Sequence, residues 1–194
     1  MRVLLRTYGT RGDVQPFVAL AKDLKGAGHE VAVCTPAGFR GMVEQHGVPY
    51  AHMDNAFLEL SEAVLRAPTR AEQRRLFKGF GAIIRACLED EWRAAQALGP
   101  DVLIYHAKAM GSHHIAEKLG VAEFLAMPLP LTPTRAFPVP IVPPLSLGGW
   151  FNALSYRAIS LANAFWAGAT NDFRKNTLGL PPQARFANAM QRAD

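Results

Sequence analysis

The segment Tyr8-Gly9-Thr10-Arg11-Gly12-Asp13-Val14-Gln15-Pro16-Phe17 constrains this chain more than any other, because it turns an apolar run, Arg2 to Thr7, directly into a helical pattern. A strand that passes through a glycine-flanked loop into an amphipathic helix is the opening unit of an α/β sheet, and that loop lies where such sheets bind ligands. Gly9 and Gly12 are read as letting the backbone take positive φ and approach a ligand closely. A helix beginning near Asp13 aims its free N–H groups and positive dipole end into the same crevice. The spacing is not Gly-x-Gly-x-x-Gly, and the second strand, Glu30 to Cys34, runs into Thr35-Pro36 with no acidic residue for a ribose hydroxyl. A dinucleotide site, and with it a nucleotide-binding oxidoreductase, is therefore disfavoured.

The apolar residues after the loop, Val14, Phe17, Val18, Ala21 and Leu24, recur at helical spacing and predict a helix with one face on the sheet. Gly26 and Gly28 end it, Phe39 to His46 reads as a second helix closed by Gly47, and Val48 to Met53 as a third strand. Ala56 to Leu98 is helical in pattern, interrupted at Pro68 and stopped by Gly99-Pro100. Asp101 to Tyr105 then reads as a strand, Met110 to Leu119 as a helix and Val121 to Ala126 as another strand. The predicted fold is α/β: a Rossmann-like, doubly wound parallel sheet with helices on both faces. Met127 to Leu147 holds seven of the fourteen prolines and predicts a semi-rigid extended loop with apolar edges. Trp150 to about Asn176 reads as one long helix ended by Leu180-Pro181-Pro182, so the domain is expected to span 1–180, with 181–194 beginning an interdomain linker or a disordered tail.

The net charge of +5 on 194 residues raises the question of an anionic partner. The arginines are dispersed and no aromatic-interleaved basic stripe is present, which argues against nucleic acid. Solubility is the first reading of that charge. Attraction to nucleotide phosphates, or peripheral contact with an anionic membrane surface, stays open beside it. Cys34 and Cys87 have neither the number nor the spacing of a disulfide framework or a zinc site and are read as buried thiols. Met1 leads straight into the first strand, and no run reaches the ~18 to 20 apolar residues that span a bilayer, so a cytoplasmic location is expected.

Asp13 is the candidate catalytic residue. General acid–base chemistry needs a titratable side chain beside the reacting group, and a carboxylate on the strand-one loop faces the crevice at the strand ends. The competing reading is an N-cap, a role in which the helix dipole would lower its pKa. Thr10, Arg11 and Gly12 are candidates to touch the phosphates of a bound ligand through hydroxyl, guanidinium and backbone N–H. His106, just past a strand, and His114, which follows His113 at the start of a helix, are read as structural or pocket-lining. His106, His113 and His114 lack metal-ligand spacing, and no metal is expected. Met110, Met127, Leu129, Leu131, Phe137, Val139, Ile141 and Trp150 cluster around the proline-rich segment and suggest an apolar groove. Such a groove suits a flat hydrophobic acceptor.

Thr10-Arg11-Gly12-Asp13-Val14-Gln15-Pro16-Phe17-Val18-Ala19 resembles the strand-one loop of two-domain GT-B glycosyltransferases of the sterol glucosyltransferase kind, whose amino-terminal domain is the family 28 type. The likeness continues at Gly26-Ala27-Gly28-His29-Glu30-Val31, His114-Ile115-Ala116-Glu117 and Pro128-Leu129-Pro130-Leu131-Thr132-Pro133-Thr134 with Phe137-Pro138. It extends to Leu154-Ser155-Tyr156 and Asn171-Asp172-Phe173-Arg174-Lys175, and so covers almost the whole chain. The resemblance implies the acceptor-binding half of such an enzyme, one that moves a hexose to a hydroxyl of an apolar acceptor such as a sterol, lipid or polyketide. It matches Asp13 to the base, assigns most donor contacts to a C-terminal domain supplied in cis or in trans, and implies a nucleotide sugar such as uridine diphosphate glucose as co-substrate, with no cofactor. Inversion at the anomeric carbon follows if no covalent intermediate intervenes. The alternative is a stand-alone, non-catalytic module that binds a hydrophobic metabolite or a partner glycosyltransferase subunit.

Overall fold

The structure, a computed structural model, describes residues 1–140, 142 and 147–184. Five strands, β1 (Arg2–Arg6), β2 (Glu30–Pro36), β3 (Tyr50–Met53), β4 (Val102–His106) and β5 (Ala122–Ala126), form one parallel sheet in the order β3-β2-β1-β4-β5. α1 (Arg11–Gly26) and α5 (Phe80–Leu98) flank α2 (Arg40–Glu44), α3 (Ala56–Arg66) and α4 (Arg70–Phe77) in chain order. The remainder are α6 (Ser112–Leu119), α7 (Gly149–Ser155) and α8 (Arg157–Phe173). The predicted doubly wound α/β class is the observed one.

The pleat sorts strand residues between two apolar layers. Val3, Leu5, Val31 and Val33 pack against Val14, Phe17, Val18 and Ala21 of α1. Leu4, Ala32, Cys34 and Leu103 face the other way, against Ile84, Cys87, Leu88 and Ala95 of α5 and Phe173 of α8. Because both faces are covered, the central strands carry continuous apolar runs. Chain order reverses between β1 and β4, which places the loops after those two strands on either side of one crevice.

Three expectations need correction. Asp13 is not the N-cap: α1 begins at Arg11 behind Thr10, which makes Asp13 its third helical residue. Gly12 therefore lies in the first helical turn without positive φ, and a Cβ there would meet only the Thr10 hydroxyl, at 3.7 Å. The long helix from Trp150 is broken at Tyr156, a buried residue whose hydroxyl donates to the Phe137 carbonyl of the proline-rich segment at 3.5 Å. Ser155 Oγ accepts the N–H of the buried Val139 at 2.8 Å and donates to the Asn152 carbonyl at 2.6 Å, which ties the break to that segment. Ile141 and the tail 185–194 lie outside the described residues.

Candidate functional site

The first turn of α1 positions Asp13 through its own backbone. Thr10 N–H donates to Asp13 Oδ2 at 2.7 Å and the Thr10 hydroxyl approaches the same oxygen at 3.1 Å, while Thr7 Oγ1 donates to the Asp13 carbonyl at 2.8 Å. A threonine followed three residues later by a carboxylate is a capping-box arrangement, with aspartate in the place usually taken by glutamate. Gly9 makes room for it. With φ at 137°, a conformation side chains rarely adopt, Gly9 lies so close that a Cβ would overlap the Asp13 carboxylate and the Lys108 ammonium.

From across the crevice the turn after β4 supplies the remaining partners. Lys108 Nζ donates to Asp13 Oδ2 at 2.8 Å, and His106 Nε2 faces Oδ1 at 3.4 Å. Asp13 keeps 9% of its side-chain surface and Lys108 45%, so the pair sits at the edge of solvent. Burial pushes the Asp13 carboxyl up, but the Lys108 hydrogen bond and charge, with the Thr10 donors, outweigh it and hold the group below the ordinary carboxylate value. Burial dominates at His106 and lowers it, against the opposing pull of Asp13 and with Lys108 adding to the fall. Asp13 is therefore an ionised carboxylate and His106 a neutral imidazole at neutral pH.

A second carboxylate–cation pair lies beneath these loops. Arg6, on β1, is buried against Glu91 of α5 and stacks its guanidinium 5.5 Å from the centre of the Tyr8 ring. Ser112 Oγ donates to Glu91 Oε2 at 3.1 Å, which links the pair to the start of α6. Gly111 is required at that turn because a Cβ would lie 2.6 Å from the same carboxylate oxygen.

The fold separates the other candidates. Thr10, Arg11 and Gly12 are exposed on the first turn of α1, and the Arg11 Nε donates to Gln15 at 3.1 Å. Arg11 lines a groove of about 200 Å³ between α1 and α2, together with Gln15, Val18, Lys22, Met42 and His46. His106 joins Asp13; His114 does not. His114 Nδ1 accepts from Arg174 at 2.9 Å, and Arg174 also grips Glu117 at 2.6 and 3.1 Å and the Pro181 carbonyl at 2.8 Å. His113, His114 and Glu117 each bring a ligand atom within 4.8 Å of the others, a grouping the sequence spacing did not suggest. The Arg174 guanidinium already supplies the cation there. Met110, Met127 and Leu131 are half-buried, whereas Phe137 and Trp150 are 41% and 66% exposed. Leu129 is exposed as well, and Val139 is fully buried.

Residues 3–138 match the glycosyltransferase family 28 N-terminal domain. The chain belongs to this family. Two relatives are sterol 3-beta-glucosyltransferases: one from Glomerella lagenarium, 35% identical over 190 residues, and one from Arabidopsis thaliana, 35% identical over 199 residues. These alignments take in 93% and 96% of the chain but only 12% and 32% of the relatives, so the family 28 chain corresponds to a small part of each. Among solved structures, the glycotransferase of kitacinnamycin aligns with a TM-score of 0.60 at 15% identity, over 95% of this chain and 42% of its own. The glycosyltransferase VinC, solved in complex with dTDP, aligns at 0.58 and 15% identity, over 98% and 47%. Those likenesses establish the GT-B amino-terminal fold. Among the described residues, no helix is long and apolar enough to cross a membrane.

Lys108, Arg6 and Glu91 had not been singled out in the sequence. A signal for Lys108 existed: it lies two residues past His106, on the loop that a β1–β4 neighbourhood turns toward Asp13. Arg6 and Glu91 carried none, since one lies in an apolar strand and the other in a charged helical run.

Proposed function

We propose that this family 28 domain is the acceptor-binding half of a glycosyltransferase that moves a hexose from a nucleotide diphosphate sugar to a hydroxyl of an apolar acceptor, with Asp13 as base. One observation carries the reading: an ionised carboxylate is held by Lys108 and Thr10 at the crevice where β1 and β4 part. A lowered carboxyl is a weak base at equilibrium, yet it is deprotonated at neutral pH and can take the proton as the acceptor oxygen bonds to the anomeric carbon. The electron pair of the breaking C–O bond leaves on the nucleoside diphosphate, and displacement without a covalent intermediate inverts the centre. The relatives named for sterol glucosylation favour a sterol or a lipid of similar shape as acceptor. Phe137 and Trp150, exposed on or beside the proline-rich segment, are the apolar contacts proposed for it, together with the half-buried Met110, Met127 and Leu131. Thr10, Arg11 and Gly12 complete a donor site whose larger part lies in a second domain. We further propose a domain over 1–180, with 181–194 leading toward that second domain.

The competing reading is a module that binds a hydrophobic metabolite or a partner subunit without catalysis. It is favoured by the partners around Asp13, since Thr10 and Lys108 both bond its Oδ2. Calorimetric titration of the 194-residue chain with uridine diphosphate glucose, followed by assay with a separately expressed donor domain, separates the two. The half-enzyme reading predicts weak nucleotide-sugar binding, no transfer by the chain alone and transfer on complementation, because both reactants must be held within about 3 to 3.5 Å. Tight binding or turnover by the isolated chain contradicts it.

A further inference from the structure

The contact between His106 and Asp13 invites the arrangement in which a histidine takes the substrate proton and a carboxylate supports it. The local hydrogen bonds point the other way. The backbone N–H of Lys108 donates to His106 Nδ1 at 3.1 Å, so Nδ1 presents its lone pair to the chain. In a neutral imidazole the single ring proton then resides on Nε2, the atom that faces Asp13 Oδ1 at 3.4 Å. Protonating the ring would place a second N–H against the Lys108 N–H and would charge a side chain that is only 2% exposed. The charged groups acting on the ring are Asp13 of α1 and Lys108 of its own loop; the edge of the Phe17 ring packs on it at 5.9 Å between centroids.

We infer that His106 is the positioning residue of Asp13: a neutral imidazole locked in the Nε2–H tautomer that orients carboxylate oxygen Oδ1, leaving proton acceptance to Asp13 itself. Lys108 thereby acts twice, through its ammonium on Oδ2 and through its backbone N–H on the far side of the imidazole. The 3.4 Å separation is long for a hydrogen bond, and catalytic contacts of this kind tighten when reactants are bound. Only the kinetic arm of the test rests on the reading of Asp13 as base.

The test begins with the 194-residue chain labelled with 15N at histidine. Long-range proton–nitrogen correlation is expected to show a protonated Nε2 and a bare Nδ1 for His106 at pH 7, persisting below the ordinary imidazole midpoint of about 6.5. An Nδ1–H tautomer, or a charged ring at pH 7, overturns the inference. His106→Gln keeps an amide N–H that reaches toward Oδ1, whereas His106→Leu removes the donor at similar volume. By carbon resonance, the Asp13 midpoint is expected to rise by roughly 0.5 to 1 pH in the leucine variant and to return most of the way in the glutamine variant. Identical Asp13 titration in all three proteins overturns it. With the donor domain added, the leucine variant is expected to lose kcat roughly five- to tenfold at unchanged KM for the nucleotide sugar, with partial recovery in the glutamine variant. If Asp13→Asn retains turnover, the base reading falls while the tautomer and titration results still decide the role of His106.

Discussion

β1 and the first turn of α1 each supply one partner of a carboxylate–cation pair, and the two pairs differ chiefly in their access to water. Arg6 and Glu91 keep 1% and 2% of their side-chain surface, and they join the sheet to α5 and the start of α6. Asp13 and Lys108 keep 9% and 45% at the lip of the crevice. Burying two charges costs several kcal/mol of desolvation that their attraction only offsets, so the inner pair is a fixed support whose loss leaves an unpaired charge in the core. The outer pair includes one cation that water and ligands can reach. A lysine that can be drawn away leaves a carboxylate ready to accept a proton, which is why the chemistry is assigned to this pair rather than to the more deeply buried one.

The comparison can be broken most forcibly at the inner pair. Glu91→Ala is expected to lower stability by about 3 to 5 kcal/mol in urea unfolding, because Arg6 stays buried without its counter-ion. Replacing both partners by apolar residues, Arg6→Met with Glu91→Leu, should recover most of that loss. A single variant with an unchanged midpoint would show that the inner pair is not a support.

The outer pair should respond weakly in stability and clearly in titration. Lys108→Met is expected to change stability by less than about 1 kcal/mol, since Lys108 is half exposed, while the Asp13 carboxyl rises toward its ordinary value. The sign follows from linkage: a carboxyl lowered by folding stabilises the native state above its unfolded midpoint of 3.8 and loses that contribution as pH falls through the folded value. The stability gap between the wild type and Lys108→Met should therefore narrow below about pH 4. A gap that is flat with pH would detach Lys108 from Asp13.

The strand-loop-helix that carries Asp13 was legible because apolar alternation, glycine and helical spacing all agree there. The meeting of Asp13 with His106 and Lys108 was not, since it depends on β1 and β4 being neighbours, a fact of sheet order rather than of local pattern. The helix starts two residues before Asp13 because Thr10-Arg11-Gly12-Asp13 has the threonine-to-carboxylate spacing of a capping box, which a reading for glycine freedom passes over. Gly9 has the positive φ expected of it; Gly12 does not, because in the first helical turn it needs no special backbone angle. The break at Tyr156 arises from tertiary contacts with the proline-rich segment, which helical periodicity cannot register.

The central claim, that Asp13 takes the acceptor proton, is tested most directly by the turnover of Asp13→Asn in the protein that carries both the family 28 domain and a donor-binding domain. Asparagine keeps an oxygen for the Thr10 N–H but has no charge and accepts no proton at neutral pH. The account predicts a folded protein of nearly unchanged thermal midpoint and intact acceptor binding, with turnover lowered at least about a hundredfold. Turnover near that of the wild type, with the same midpoint, would contradict it and leave Asp13 as a residue of the capping box alone.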